Sequence, residues 1–168
     1  MAAMEKITKD AESCFVAAQT PLAIGNAVAA IILLEDGRYL LQLRDDIESI
    51  WYPGHWGCFG GGVEPSEDPL SALHRELQEE LAFTFDKMKA SFFTELVIDL
   101  VGLGLGRYYR KYYLIHMTCK EMAQLCLAEG EAVAVFDGDA ILGALKVSPY
   151  DSFALFLHAR AFRVRQQV

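Results

Sequence analysis

The chain has 168 residues, 53% of them hydrophobic, with a formal net charge of −8. That length and apolar content fit one domain, residues 1–168, with a sizeable core, and the acidity works against gripping long nucleic acid, whose phosphates it would repel. No run of glycine or proline marks a linker, and the longest apolar stretch, Ala27–Leu34, is far too short to cross a bilayer.

Residues 1–20 read as an N-terminal helix or extended arm. They carry acids early and contain no apolar run of the kind a signal peptide needs. Cys14, Cys58, Cys119 and Cys126 form no C-x-x-C pair and fit no zinc framework. Reduced thiols and a cytoplasmic setting are therefore expected. The β-branched run from Ala27 ends at Asp36-Gly37, a turn signal, and residues 39–44 follow. The pattern predicts a β-hairpin whose first strand is buried on both faces. Residues 45–56 predict a loop holding Trp51, Tyr52 and Trp56, and Gly60-Gly61-Gly62 comes next.

The best helix begins after Asp68, a good N-cap, with Pro69 at its first position. Leu70, Leu73, Leu77 and Leu81 repeat at helical spacing and give one apolar stripe. No glycine closes this helix. Strands are predicted over 92–101 and 108–117, a short helix over 120–127, and a strand over 132–136. A last helix is predicted over 151–163, with Phe153, Leu157 and Ala161 on one side. The class is α+β.

The chemistry concentrates in Arg75-Glu76-Leu77-Gln78-Glu79-Glu80. Each helical residue turns roughly 100° from the last, so Glu79 and Glu80 fall on either side of Glu76. Three like charges on one arc repel, and a hard divalent cation relieves that repulsion. A plain solvated acidic face is the other reading. The nearby glycine loop favours the first, because backbone there can approach a phosphate or a metal.

Residues 61–83 resemble the Nudix box, G-x5-E-x7-R-E-U-x-E-E-x-G-U with U a bulky apolar residue. Here Gly61, Glu67, Arg75, Glu76, Leu77, Glu79, Glu80 and Phe83 match, while Ala82 stands where the family has glycine. The resemblance implies an α/β/α sandwich around a mixed β-sheet. It implies hydrolysis of a phosphoanhydride bond in a nucleoside diphosphate linked to another group, by water attack on phosphorus, with Mg²⁺ or Mn²⁺. The substrate would be a nucleotide sugar or a nucleoside triphosphate, and a homodimer is expected. By the same resemblance Glu76, Glu79 and Glu80 are metal ligands, joined by the Gly60 carbonyl. Gly61 and Glu67 support the loop, and Arg75 orients a catalytic glutamate. The general base is Glu129 or Glu131 on a distant loop, or Glu79 or Glu80 within the box.

Further substrate contacts are expected around the glycine loop. Trp51 and Tyr52 are placed to stack a base, whereas Trp56 is expected to pack beneath the loop. Arg44 is a phosphate contact or a strand-end charge. Arg107 or Arg110 is a ligand contact or part of a sheet surface, and His55 is a substrate contact. His74 is expected on the helix surface, His116 and His158 in packing. Two other functions fit the same residues: a non-catalytic nucleotide-binding or regulatory module, and an isomerase of isoprenoid diphosphates that would use Cys58.

Overall fold

A computed structural model describes residues 24–143 and 145–166. The arm expected over residues 1–20 lies outside them. The organising strand is β1, Ala27–Leu34, and its alternation explains the layers. Val28, Ala30, Ile32 and Leu34 enter one core, with Leu73, Leu77 and Leu81 of the box helix. Ala29, Ile31 and Leu33 enter a second core, with Ala154, Leu155 and Ala159 of the C-terminal helix. A strand covered on both faces must be apolar at every position, and this one is.

β1 turns at Gly37, which holds a φ of 82°, into antiparallel β2, Tyr39–Leu43. Its other edge pairs in parallel with β5, Arg107–Met117, and β5 pairs antiparallel with the edge strand β4, Ser91–Asp99. β2 also pairs with β3, Trp56–Gly57, and along its length with β6, Ala132–Phe136. The order is β3-β2-β1-β5-β4, with β6 on β2. The sheet is thus mixed, as the resemblance implies.

β1 and β2 share only a short ladder, and the glycine loop takes β2's place along the start of β1. The Val28 amide donates to the Gly61 carbonyl at 2.9 Å, and Ala30 to Phe59 at 2.8 Å. The loop is therefore held by backbone bonds on the box-helix side of the divergence.

Helix α1, Pro69–Leu81, starts as expected: Asp68 accepts from the Ser71 amide at 3.0 Å. Its stripe is buried, with Leu73, Leu77 and Leu81 at 0% exposure. It ends in a left-handed cap, with Ala82 at φ 51° and ψ 30°. Amides of Ala82 and Phe83 reach the carbonyls of Gln78 and Leu77, both at 3.1 Å. The glycine-type turn survives without its glycine.

α2, Cys119–Met122, is one turn, shorter than the sequence suggests, and is fixed by a capping box between Thr118 and Glu121. α3, Gly138–Leu142, has too little periodic sequence to be expected. α4, Pro149–Gln166, corrects the expected stripe. Asp151, Ala154, Leu155, His158 and Ala159 are buried, whereas Phe153, Leu157 and Ala161 face outward. Small alanines let α4 lie close to the sheet, and His158 is satisfied there by the Tyr39 hydroxyl at 2.9 Å. His116, expected in packing, is exposed on β5. Among the described residues no helix is long and apolar enough to cross a membrane.

Candidate active site

Where β1 and β2 part, α1 and the glycine loop enclose an open cavity of about 220 Å³. Glu76 and Glu80 line it from α1, Gly60 and Gly61 from the loop, and Gln42, Arg44 and Asp45 from the end of β2. Glu129 and Gly130 close the far wall. Among the described residues that line it, Arg44 is the one cation beside four carboxylates.

Each wall has a local cause. Glu76 and Glu80 stand one turn apart on the face of α1 turned toward the loop. Gly60 sits at φ 124°, and a Cβ there would overlap the Val28 carbonyl. A Cβ on Gly61 would overlap the Glu76 carboxylate. Both positions need glycine because something else already fills the space. Glu129 is carried in by its neighbours: the Ala128 amide donates to the Glu80 carbonyl at 2.8 Å, and Glu131 to Leu43 at 2.9 Å. The segment therefore caps an open carbonyl at the end of α1 and also ties to β2.

Glu80 is 6% exposed. Its carboxylate accepts from the Gly60 amide at 2.8 Å and from Gln42 Nε2 at 3.3 Å. Burial pushes its pKa up to about 7; those two hydrogen bonds oppose the shift, and the charges of Glu76 and Glu129 add to it. Glu76 is raised too, chiefly by burial, against the pull of Arg75. Buried Glu80 and half-buried Glu76, both slow to ionise, offer a pair of hard oxygen donors to the cavity. That pair fits Mg²⁺ or Mn²⁺, whose charge would offset the repulsion.

Arg75 organises the outer side of this helix. It meets Glu67 with two prongs, at 3.1 Å each, and Glu76 at 2.8 Å. It also donates to the Gly62 carbonyl at 3.0 Å. Glu67 in turn accepts from the Glu64 amide at 3.1 Å. Its pKa is held down chiefly by the Arg75 hydrogen bond. These contacts tie Glu67 and Arg75 to the loop and hold Arg75 against the Glu76 carboxylate.

Glu79 does not join the cavity. It is 53% exposed and bound to Arg75 at 3.1 Å. The expected three-carboxylate arc becomes a pair, and among the described residues no three His, Cys, Asp or Glu side chains are grouped to hold a metal ion. The reason is angular. Glu79 lies on the far flank of Glu76 from Glu80, at the four-residue spacing that lets Arg75 take it.

The other expected contacts divide. Arg44 lines the cavity and donates through Nε to the Trp51 carbonyl at 2.9 Å. Trp51, Tyr52 and His55 cluster beside it, with ring centroids 6.2 Å and 5.6 Å apart in sequence. Trp56 packs edge-on against Phe136 at 4.7 Å. His74 lies against Phe85 at 5.3 Å. Glu131 is exposed and does not line the cavity. Arg107 is also absent from the lining, because its cross-strand neighbour Asp99 holds it at 2.7 Å. Cys58 is fully buried against the α4 side, and burial pushes its thiol well above the usual range. It does not line the cavity, which removes the isomerase reading.

Gln42, Asp45, Ile50 and Gly130 were not singled out from the sequence, though a glutamine within an otherwise apolar strand was a usable signal for Gln42. Asp151 gave none. It is fully buried and receives the Cys58 amide at 3.0 Å, the Ser148 hydroxyl at 2.9 Å and Arg110 Nε at 3.0 Å. Burial works against the Arg110 charge, yet the Asp151 carboxylate holds the guanidinium's pKa above its ordinary value. This pair anchors the glycine-loop strand to the start of α4. Cys58 links it onward, since its carbonyl faces Gln42 Nε2 at 3.4 Å.

Comparison with known proteins agrees with this geometry. Residues 24–144 match the model of the NUDIX domain. The nucleoside triphosphatase NudI of Escherichia coli is 46% identical over 50 residues, which is 30% of this chain and 35% of that protein. The chain thus spans about a third of the length of the curated relatives it matches. Among solved structures, the MutT protein of Methanosarcina mazei Go1 superposes with a TM-score of 0.66 at 20% identity, covering 85% of this chain and 98% of that one. The MutT NUDIX hydrolase of Burkholderia pseudomallei gives 0.62 at 25% identity, covering 79% and 95%. With the family model spanning most of the sequence, this chain belongs to the Nudix family.

Proposed function

We infer that the chain hydrolyses a phosphoanhydride bond of a nucleoside triphosphate, using Mg²⁺ or Mn²⁺ held at Glu76, Glu80 and the Gly60 carbonyl. The observation that carries this reading is buried Glu80 and half-buried Glu76 sharing with Glu129 a cavity whose described lining holds a single cation. Such a lining repels a bare polyphosphate and accepts one accompanied by divalent charge. The triphosphate is preferred over the nucleotide sugar because the partial match is to a protein named as a nucleoside triphosphatase.

When bound, the cation neutralises phosphate oxygens and assists water attack on phosphorus. The protein's own residues do the rest. Arg44 holds a phosphate oxygen at the mouth of the cavity. Arg75 and the Gly60 amide fix the Glu76 and Glu80 carboxylates, so little reorganisation is needed on binding. Glu129 accepts the proton of the attacking water as the new P–O bond forms and the anhydride P–O bond breaks. Glu129 is chosen over Glu131 because it lines the cavity, and over Glu79 because Arg75 holds Glu79 outside. Glu80 already accepts two hydrogen bonds, which suits a ligand better than a base.

A reducing, cytoplasmic setting is also part of the proposal. A homodimer remains part of the proposal. The test is phosphate and pyrophosphate release from a panel of nucleoside triphosphates and nucleotide sugars, with and without Mg²⁺. Turnover of a triphosphate only with the metal, falling about 10²-fold or more in Glu129→Gln, is the expected result. Metal-independent turnover, or none with any nucleotide, contradicts the reading and favours a binding module.

A further inference from the structure

Between the cavity and the start of α4 lies an aromatic surface that the hydrolytic residues leave unused. Ile50 lines the cavity, and Trp51 and Tyr52 follow it directly. Tyr52 meets Tyr150 edge-on, with ring centroids 5.5 Å apart. Trp51 is 40% exposed, a large apolar surface left facing water. The surface is fixed from several sides. Arg110 lies 4.8 Å from the Tyr150 ring centroid and is itself tied to buried Asp151 at 3.0 Å. Tyr52 is held at φ 51°, a conformation that a bulky residue keeps only when its surroundings impose it. Arg44 links this surface to the cavity. Its side chain binds the Trp51 carbonyl, and its own carbonyl accepts from the Gly54 amide at 3.2 Å. Arg44 and the start of α4 also meet across Gly57, where a Cβ would lie 2.9 Å from Asp151 Oδ2 and 3.8 Å from Arg44 Cδ.

We propose that Tyr150, with Trp51 and Tyr52, forms an angled aromatic shelf against which the base of a nucleoside triphosphate packs while its phosphates occupy the carboxylate-lined cavity. Tyr150 is then a base-binding residue supplied by α4, far in sequence from the box. Stacking on aromatic rings tolerates every base, because each has a π-face. A shelf already rigid before binding loses little entropy when it is covered. The proposal rests on the hydrolase reading above and adds the part of the substrate that the phosphates do not define.

The test compares the wild-type chain with Trp51→Ala, Tyr150→Leu and Tyr150→Phe at fixed free Mg²⁺. Two quantities are measured: KM for a nucleoside triphosphate, and the inhibition constant of inorganic tripolyphosphate, which has no base. Trp51→Ala and Tyr150→Leu are expected to raise KM about five-fold or more, with tripolyphosphate inhibition changed less than about two-fold and Tyr150→Phe close to wild type. Unchanged KM in both variants overturns the shelf, as does an equal loss for nucleotide and tripolyphosphate. If the wild-type chain cleaves no triphosphate, the hydrolase reading fails first. The shelf is then judged by equilibrium dialysis, where equal nucleotide affinity in wild type and variants overturns it.

Discussion

Glu80 shows how one side chain can be costly to the fold and useful to the site. Its acid keeps its proton up to about pH 7 in the folded chain, against an ordinary value of 4.5. Between those values the folded state binds more protons than the unfolded state, so stability falls as pH rises through the window. The loss is complete above the folded pKa. A divalent cation at the site reverses it by favouring the ionised form. Without divalent cations, the melting temperature is therefore expected to drop between about pH 5 and about pH 8, and Mg²⁺ to raise it at the upper end only. Glu80→Gln keeps an acceptor for the Gly60 amide and should flatten the slope, with the remainder due to Glu76. A metal-free melting temperature independent of pH in the wild-type chain would show that Glu80 is not so buried. The sequence placed this glutamate on the acidic face. It could not show the depth, which depends on Gln42 and Gly60 from distant segments.

At the scale of elements, α1 was readable because its signals are local: a cap, a proline and leucines at fixed spacing. The central strands and the hairpin were readable for the same reason. α4 was misread, since large side chains suggested the buried face while alanines occupy it. The end of α1 shows a family position filled by a less suitable residue. Ala82 sits in the left-handed region, which disfavours any residue with a Cβ by about 1–2 kcal/mol. Ala82→Gly removes that strain but gives back some unfolded-state entropy. The net expectation is about 1 kcal/mol of added stability, or roughly 2–4 °C in melting temperature for a chain of this size. Chemical denaturation with an unchanged slope would confirm it, and a destabilised variant would show that the turn is held some other way.

For the molecule as a whole, the site exists because the sheet opens. β1 and β2 separate, the glycine loop fills the gap beside β1, and the cavity forms between the loop, α1 and the segment that carries Glu129. The box motif made half of this visible in the sequence. The resemblance pointed to Glu129 as well, while Gln42, Asp45 and the Asp151–Arg110 anchor are assembled by topology and have no common spacing. Of the two places expected for Arg107, the sheet surface is the one it takes, and only the β4–β5 register reveals its partner Asp99. The central claim is that Glu76 and Glu80, rather than the full acidic triplet, hold the divalent cation. Calorimetric titration of Mn²⁺ into the wild-type chain, Glu79→Gln and the double variant Glu76→Gln/Glu80→Gln tests it most directly. The account predicts binding lost in the double variant, with the protein still folded, and weakened no more than about ten-fold in Glu79→Gln. Undiminished Mn²⁺ binding by the double variant would contradict it.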